Sequence, residues 1–140
     1  MSARPAASRR TVLRGVALTP VAGLGLTACG GGAEDTPAGL TEPVELGPES
    51  EVARGGAKLY RDHKVVVSRS EDGALKAYSS VCTHAGCPAN ALKGTRLVCP
   101  CHGSEFDATT GKVLREPAVA PLKPLVVEVK DGTMIAKPQV

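Results

Sequence analysis

The chain reads as an all-β protein, and three observations carry that reading. Across residues 44–140 no stretch of about ten residues repeats its apolar side chains at helical spacing. Two Asp-Gly pairs, Asp72-Gly73 and Asp131-Gly132, each stand between strand-like arms, and this dipeptide is a strong hairpin signal. Leu125, Val127 and Val129 alternate with Val126, Glu128 and Lys130, giving one apolar and one partly polar face, as a half-buried strand requires. In chain order, residues 64–69 and 74–79 are the arms around Asp72-Gly73. Thr110-Gly111 marks a further turn, and residues 125–130 and 133–137 flank Asp131-Gly132. Residues 81–110 carry nearly all the reactive side chains on two loops rich in Gly, Pro and Thr, and no internal repeat is visible.

The chain has 140 residues, enough for one small domain. With one Phe, two Tyr and no Trp, its core must be built from Val, Leu, Ile and Ala. Such a core is thin and calls for covalent staples. The formal charge is +3, yet Arg4, Arg9, Arg10 and Arg14 stand in residues 1–28 without any acid, so the remainder is slightly acidic. The basicity is therefore local, which excludes nucleic acid as the expected partner.

Ser8-Arg9-Arg10-Thr11-Val12-Leu13-Arg14, followed by a modestly apolar run over residues 15–28, resembles a twin-arginine export signal. Val12 replaces the usual Phe, and Arg14 the common Lys. The run is broken by Gly, Pro and Thr and falls short of the roughly 20 apolar residues of a membrane helix. Leu26-Thr27-Ala28-Cys29-Gly30 is similar to a bacterial lipobox, which implies that Cys29 becomes a diacylated N-terminus. Residues 1–28 are thus expected to be a signal peptide and residues 29–48 a lipid-anchored flexible linker. Residues 30–48 are rich in Gly, Pro, Thr and acids and lack apolar periodicity; such a tether spans about 25 Å.

Cys82-Thr83-His84 and Cys99-Pro100-Cys101-His102 bring two thiols and two imidazoles into paired stretches, with Cys87 and Cys101 beside them. Mixed sulfur and nitrogen donors suit a two-iron cluster with two His ligands. Two rival readings use the same residues: structural zinc on two Cys and two His, and a disulfide-only binding module that leaves both histidines as loop residues. His63, in a charged turn, reads as a solvated surface residue.

Cys82-Thr83-His84-Ala85-Gly86-Cys87 and Cys99-Pro100-Cys101-His102-Gly103-Ser104-Glu105-Phe106-Asp107 resemble the two motifs of the Rieske 2Fe-2S family, and the resemblance spans residues 44–140. It implies an antiparallel sandwich with a small cluster-binding subdomain, about residues 81–121, made of two loops. It implies further that Cys82 and Cys99 bind one iron, that His84 and His102 bind the other, and that Cys87 and Cys101 form a disulfide between the loops. Such a bridge demands an oxidising compartment, in agreement with export.

In a cluster of two ferric ions and two sulfides, two thiolates leave no net charge, whereas four thiolates leave it dianionic. Neutral imidazoles therefore raise the potential, to about −150 to +300 mV against about −400 mV for four-cysteine plant-type clusters. A metal-free ring nitrogen can also release a proton on oxidation, coupling the electron to pH. By the resemblance, Ser104 donates to a bridging sulfide, while Phe106 stands where high-potential members have Tyr, so an intermediate potential is expected. Ala85 stands where quinol-oxidising members carry Leu, and Pro117-Ala118-Val119-Ala120-Pro121 is similar to the loop that covers the cluster from the side.

The expectation is a one-electron carrier with a single 2Fe-2S cluster, showing oxidoreductase activity only with partner subunits. It would sit as a lipoprotein on the outer face of the cell membrane. Three settings fit: the iron–sulfur subunit of a respiratory quinol–cytochrome oxidoreductase, where quinol is a further partner; the small subunit of an exported, arsenite-oxidase-like enzyme; and a free-standing carrier. The signal and the disulfide pair disfavour a ferredoxin of a cytosolic ring hydroxylase.

Overall fold

The computed structural model describes residues 39–140, so the expected export signal, Cys29 and most of the linker lie outside the described residues. The strands are β1 (Val44–Pro48), β2 (Gly56–Tyr60), β3 (Val65–Arg69), β4 (Leu75–Ser79), β5 (Ala91–Lys93), β6 (Arg96–Val98), β7 (Glu105–Asp107), β8 (Val113–Arg115), β9 (Pro124–Lys130) and β10 (Thr133–Pro138). A short 3-10 turn, Glu49–Glu51, joins β1 to the segment before β2. Six strands form one sheet in the order β1-β10-β9-β4-β3-β2, and four form a second in the order β5-β6-β7-β8, so the all-β class holds.

The Asp-Gly turns form as their chemistry requires. Asp131 and Gly132 both have positive φ, 51° and 78°, the type I′ geometry that matches strand twist, and Thr133 pairs directly with Lys130. Around Gly73 the loop is longer, since Arg69 pairs with Leu75, and it closes with Ser70 N–H donating to the Ala74 carbonyl at 2.9 Å. Thr110-Gly111 joins β7 to β8, with Gly111 at φ 74°.

Strand β3, between edge strand β2 and β4, separates two cores. Its residues 65–68 are all buried, Val65 and Val67 against Leu46, Val52, Ala77, Leu125, Met134 and Ala136, and Val66 on the opposite side against Leu97, Phe106, Ala118 and Leu122. A run of three valines is what a strand covered on both faces selects. The second core also contains Cys82 and Cys99, so the reactive loops rest directly on packed apolar side chains.

Two expectations need correction. Residues 44–48, placed both at the end of the linker and at the start of the domain, are strand β1 paired with β10 and so belong to the domain. Five residues with Leu46 alone buried, and an irregularity between Glu45 and Gly47, leave too little pattern to read; the β10 ladder supplies the order. On β9 the apolar face runs out before its end: Leu125 is buried, but Val129 is 44 % exposed where the strand reaches its hairpin.

Candidate metal centre

The two loops repeat one hydrogen-bonding scheme. In the first, Cys82 N–H donates to the Cys87 carbonyl at 2.7 Å and Gly86 N–H to the Cys82 carbonyl at 2.9 Å. In the second, Cys99 N–H donates to the Ser104 carbonyl at 2.9 Å and Gly103 N–H to the Cys99 carbonyl at 3.1 Å. Gly86 and Gly103 take φ of 76° and 79°, the left-handed turn that glycine enters without steric cost. Each scheme buries its leading cysteine and lifts the following residues into solvent. The first loop leaves β4 and is fixed at its root by Val81 bridging Pro88; the second joins β6 to β7.

The predicted site residues fall into three groups. Cys82 and Cys99 carry free thiols and are 2 % and 1 % exposed. Burial pushes the Cys99 thiol up, the Cys101 N–H opposes that, the adjacent Cys82 thiol adds to the rise, and the His102 N–H opposes it again. His84 and His102 are exposed, with ring centroids 4.7 Å apart and planes crossing at 84°. Cys87 and Cys101 form a disulfide across the loops, with Cα atoms 6.5 Å apart. The sulfurs of Cys87, Cys99 and Cys101 lie within 4.8 Å of one another.

This donor set fits a two-iron cluster of mixed ligation. Two neighbouring buried thiols are costly to ionise alone, and a bound cation removes that cost. The imidazoles form a separate pair facing solvent, and two backbone N–H groups already aim at the Cys99 sulfur, as the support of a metal thiolate requires.

A third segment, residues 117–123, closes the site. Ser104 is fully buried, and its Oγ accepts the Ala118 N–H at 3.0 Å, which leaves the hydroxyl proton free to donate elsewhere. Thr83 Oγ1 donates to the Ala120 carbonyl at 2.6 Å, and Leu122 N–H donates to the Gly111 carbonyl at 2.8 Å. Phe106 on β7 is fully buried opposite Leu97 of β6, in the core that holds Cys82 and Cys99. Ala85, which follows His84 in the chain, and Val119 are exposed, and His63 is exposed in its turn. Thr83 and the backbone donors of Cys101 and His102 were not singled out by sequence. Thr83 stands between two candidate ligands, but its partner is 37 residues away.

Comparison with known proteins places these loops in context. The profile of the Rieske [2Fe-2S] domain matches residues 42–130. The cytochrome b6-f complex iron-sulfur subunit of Chlorobaculum tepidum is 34 % identical over 99 residues, which cover 69 % of this chain and 54 % of that protein. The chain thus spans about half the length of the first curated relatives it matches. Among solved structures, the cyanobacterial plasma membrane Rieske protein from Synechocystis PCC 6803 is 35 % identical with a TM-score of 0.54, covering 67 % of this chain and 98 % of that one. The ferredoxin of carbazole 1,9a-dioxygenase from Nocardioides aromaticivorans is 25 % identical with a TM-score of 0.52, covering 71 % and 100 %.

Proposed function

The chain belongs to the Rieske [2Fe-2S] domain family, carries a Rieske 2Fe-2S cluster and transfers electrons through it, and from that premise we propose that it is the iron–sulfur subunit of a quinol–cytochrome oxidoreductase on the outer face of the cell membrane. The observation that carries the site assignment is the segregation of donors: two adjacent buried thiols, and two exposed imidazoles packed against each other in a T-shaped pair. Cys82 and Cys99 hold one iron away from water, and His84 and His102 hold the other at the surface. When bound, the cluster supplies a one-electron couple whose potential the two imidazoles raise.

The surrounding residues tune and protect that couple. The Cys101 and His102 N–H groups aimed at Cys99 stabilise negative charge on its sulfur, favouring the reduced state. Ser104, already accepting from Ala118, directs its own proton toward the cluster, while the Phe106 ring offers none, which supports an intermediate potential. The disulfide and the Thr83–Ala120 bond keep the loops closed over the sulfurs. Exposed His84 and His102 form the edge at which a partner takes or gives the electron.

The Chlorobaculum tepidum relative, named as a cytochrome b6-f complex subunit, supports the assignment to a complex, and the Synechocystis protein, named for the plasma membrane, supports the location. Twin-arginine export of the folded protein, a diacylated Cys29 and a tether ending at β1 would let the domain move between partners while anchored. A second reading, a free-standing carrier, is favoured by the match that spans the whole of a ferredoxin. The experiment is isolation of the intact lipoprotein from membranes. Copurifying cytochrome b and c subunits support the complex, a molybdenum subunit indicates the arsenite-oxidase-like setting, and a protein that emerges alone supports the carrier. A coloured preparation whose reduced state gives an electron paramagnetic resonance signal of low average g tests the ligand set; a colourless, zinc-loaded protein refutes it.

A further inference from the structure

We propose that Cys99, Cys87 and Cys101 form a thiol–disulfide exchange site that operates whenever the chain is without its cluster. The inference rests on the assignment of Cys99 as an iron ligand, since in the loaded protein that sulfur is engaged. The three sulfurs lie within 4.8 Å of one another, one as a thiol and two as the disulfide. Their closeness is built by the backbone. Cys99 and Cys101 project from one turn closed by the Cys99–Ser104 and Gly103–Cys99 hydrogen bonds, and Cys87 is held opposite by the Cys82 N–H on its carbonyl. A thiol fixed beside a disulfide meets it at high effective concentration, so exchange needs no encounter.

The step is redox-neutral. In local openings that admit water, the buried Cys99 thiol gives its proton to solvent and its sulfur attacks Cys87 Sγ. The Cys87–Cys99 bond forms as the Cys87–Cys101 bond breaks, and Cys101 leaves as a thiolate that takes a proton from water. Attack on Cys101 instead would close a ring across Pro100 alone, whose φ is fixed, so the sulfur on the opposite loop is the target. The loops stay cross-linked, but Cys99 is withdrawn from the ligand set and the free thiol moves to exposed Cys101. Cys101 can reverse the exchange, so cluster binding draws the pairing back through Cys99 by mass action. The empty domain thereby masks its own metal site, and loading with the cluster fixes the Cys87–Cys101 bridge.

The test starts from full-length, cluster-loaded protein whose absorbance and paramagnetic spectrum are recorded first. The cluster is removed with an iron chelator in thiol-free native buffer, samples are trapped with iodoacetamide at intervals, and disulfides are mapped by peptide mass spectrometry. Cys87–Cys99 peptide and alkylated Cys101 are expected to rise at least tenfold above the loaded control. A Cys82→Ser chain, which lacks a cluster ligand, is expected to show the Cys87–Cys99 pairing as isolated without any chelator, and a Cys99→Ser chain to keep Cys87–Cys101. Persistence of Cys87–Cys101 with alkylated Cys99 in the stripped wild-type chain overturns the proposal. So does a mixture of pairings identical to that formed in guanidinium, where the folded geometry is gone. A colourless starting protein would refute the ligand assignment by itself, while the exchange remains readable on the same metal-free chain.

Discussion

The hydroxyl of Thr83 donates to the carbonyl of Ala120 at 2.6 Å, tying the residue between two proposed ligands to a segment 37 positions away. Ser104 makes the matching tie from the second loop, through Ala118. Both loops are therefore fastened to residues 117–121. A hydrogen bond of this kind contributes about 1 kcal/mol, or about fivefold in an opening equilibrium. Thr83→Ala is expected to bleach about fivefold faster than wild type at fixed temperature, and Thr83→Ser close to the wild-type rate. The decay of visible absorbance measures both, and equal rates for the two variants would remove the bond from the account.

Ser104 and Phe106 bear on the potential. Ser104→Ala removes a proton donor and strands the buried Ala118 N–H, so it lowers the midpoint potential and destabilises the domain by about 1–3 kcal/mol. Phe106→Tyr adds a hydroxyl in the core that holds Cys82 and Cys99 and raises the potential. A bond stronger by about 1 kcal/mol in the reduced state corresponds to about 40 mV for one electron. Protein-film voltammetry reads both shifts; unchanged midpoints in the two variants would sink the tuning argument.

The Cys87–Cys101 bridge closes a segment with a sequence separation of 14. In the chain-entropy model a loop of that size is worth about 3 kcal/mol, acting mainly on the unfolded state. The double variant Cys87→Ala, Cys101→Ala is expected to lose about that much in urea unfolding followed by far-UV circular dichroism, and to lose its colour before its strands melt. Coincident loss of colour and strand signal at the wild-type midpoint would contradict it.

The hairpins were legible because Asp-Gly turns carry their geometry locally, and the site was legible because metal-ligating side chains are scarce and closely spaced. What sequence did not disclose is long-range. Strand β1 exists through its ladder with β10, and Leu46 alone cannot announce it. Val129 belongs to the apolar alternation yet lies 44 % exposed, because its burial depends on where the sheet ends. The backbone scheme shared by the two loops was hidden as well, since the histidine follows its cysteine by two residues in one loop and by three in the other.

Gly111 lies under the ring of Tyr78. A Cβ there would stand 2.6 Å from the ring, and the residue already has a φ of 74°. Its carbonyl also accepts Leu122 N–H, so a displacement there reaches the segment that closes the metal centre. Gly111→Ala combines a left-handed penalty of about 1 kcal/mol with overpacking of about 1–3 kcal/mol. A drop in that combined range in the urea-derived stability is expected, and within a Tyr78→Ala background, which removes the ring packed on the core, the same substitution is expected to cost the backbone part alone. No cost in that background would show that φ contributes nothing.

Asp107 organises the same turn. Its Oδ1 accepts Thr109 N–H at 2.8 Å and Thr109 Oγ1–H at 2.7 Å, and its Oδ2 accepts Thr110 Oγ1–H at 3.1 Å. Burial raises the carboxyl, but the bonds from Thr109 and Thr110 outweigh it and hold the group below the ordinary carboxylate range. A carboxylate depressed in the folded state stabilises it at pH values above the unfolded pKa, and that contribution is lost as pH falls through the lower, folded value. Asp107→Asn keeps an acceptor for Thr109 but has no charge to lose. Above about pH 5 the variant is expected to be less stable than wild type by about 1 kcal/mol, and the gap to close as the pH is lowered through the acid range. Acid loss of the cluster is common to both proteins and cancels in the difference between their urea midpoints. A gap that stays constant from neutral to acid pH would mean that the carboxylate charge does not support the turn.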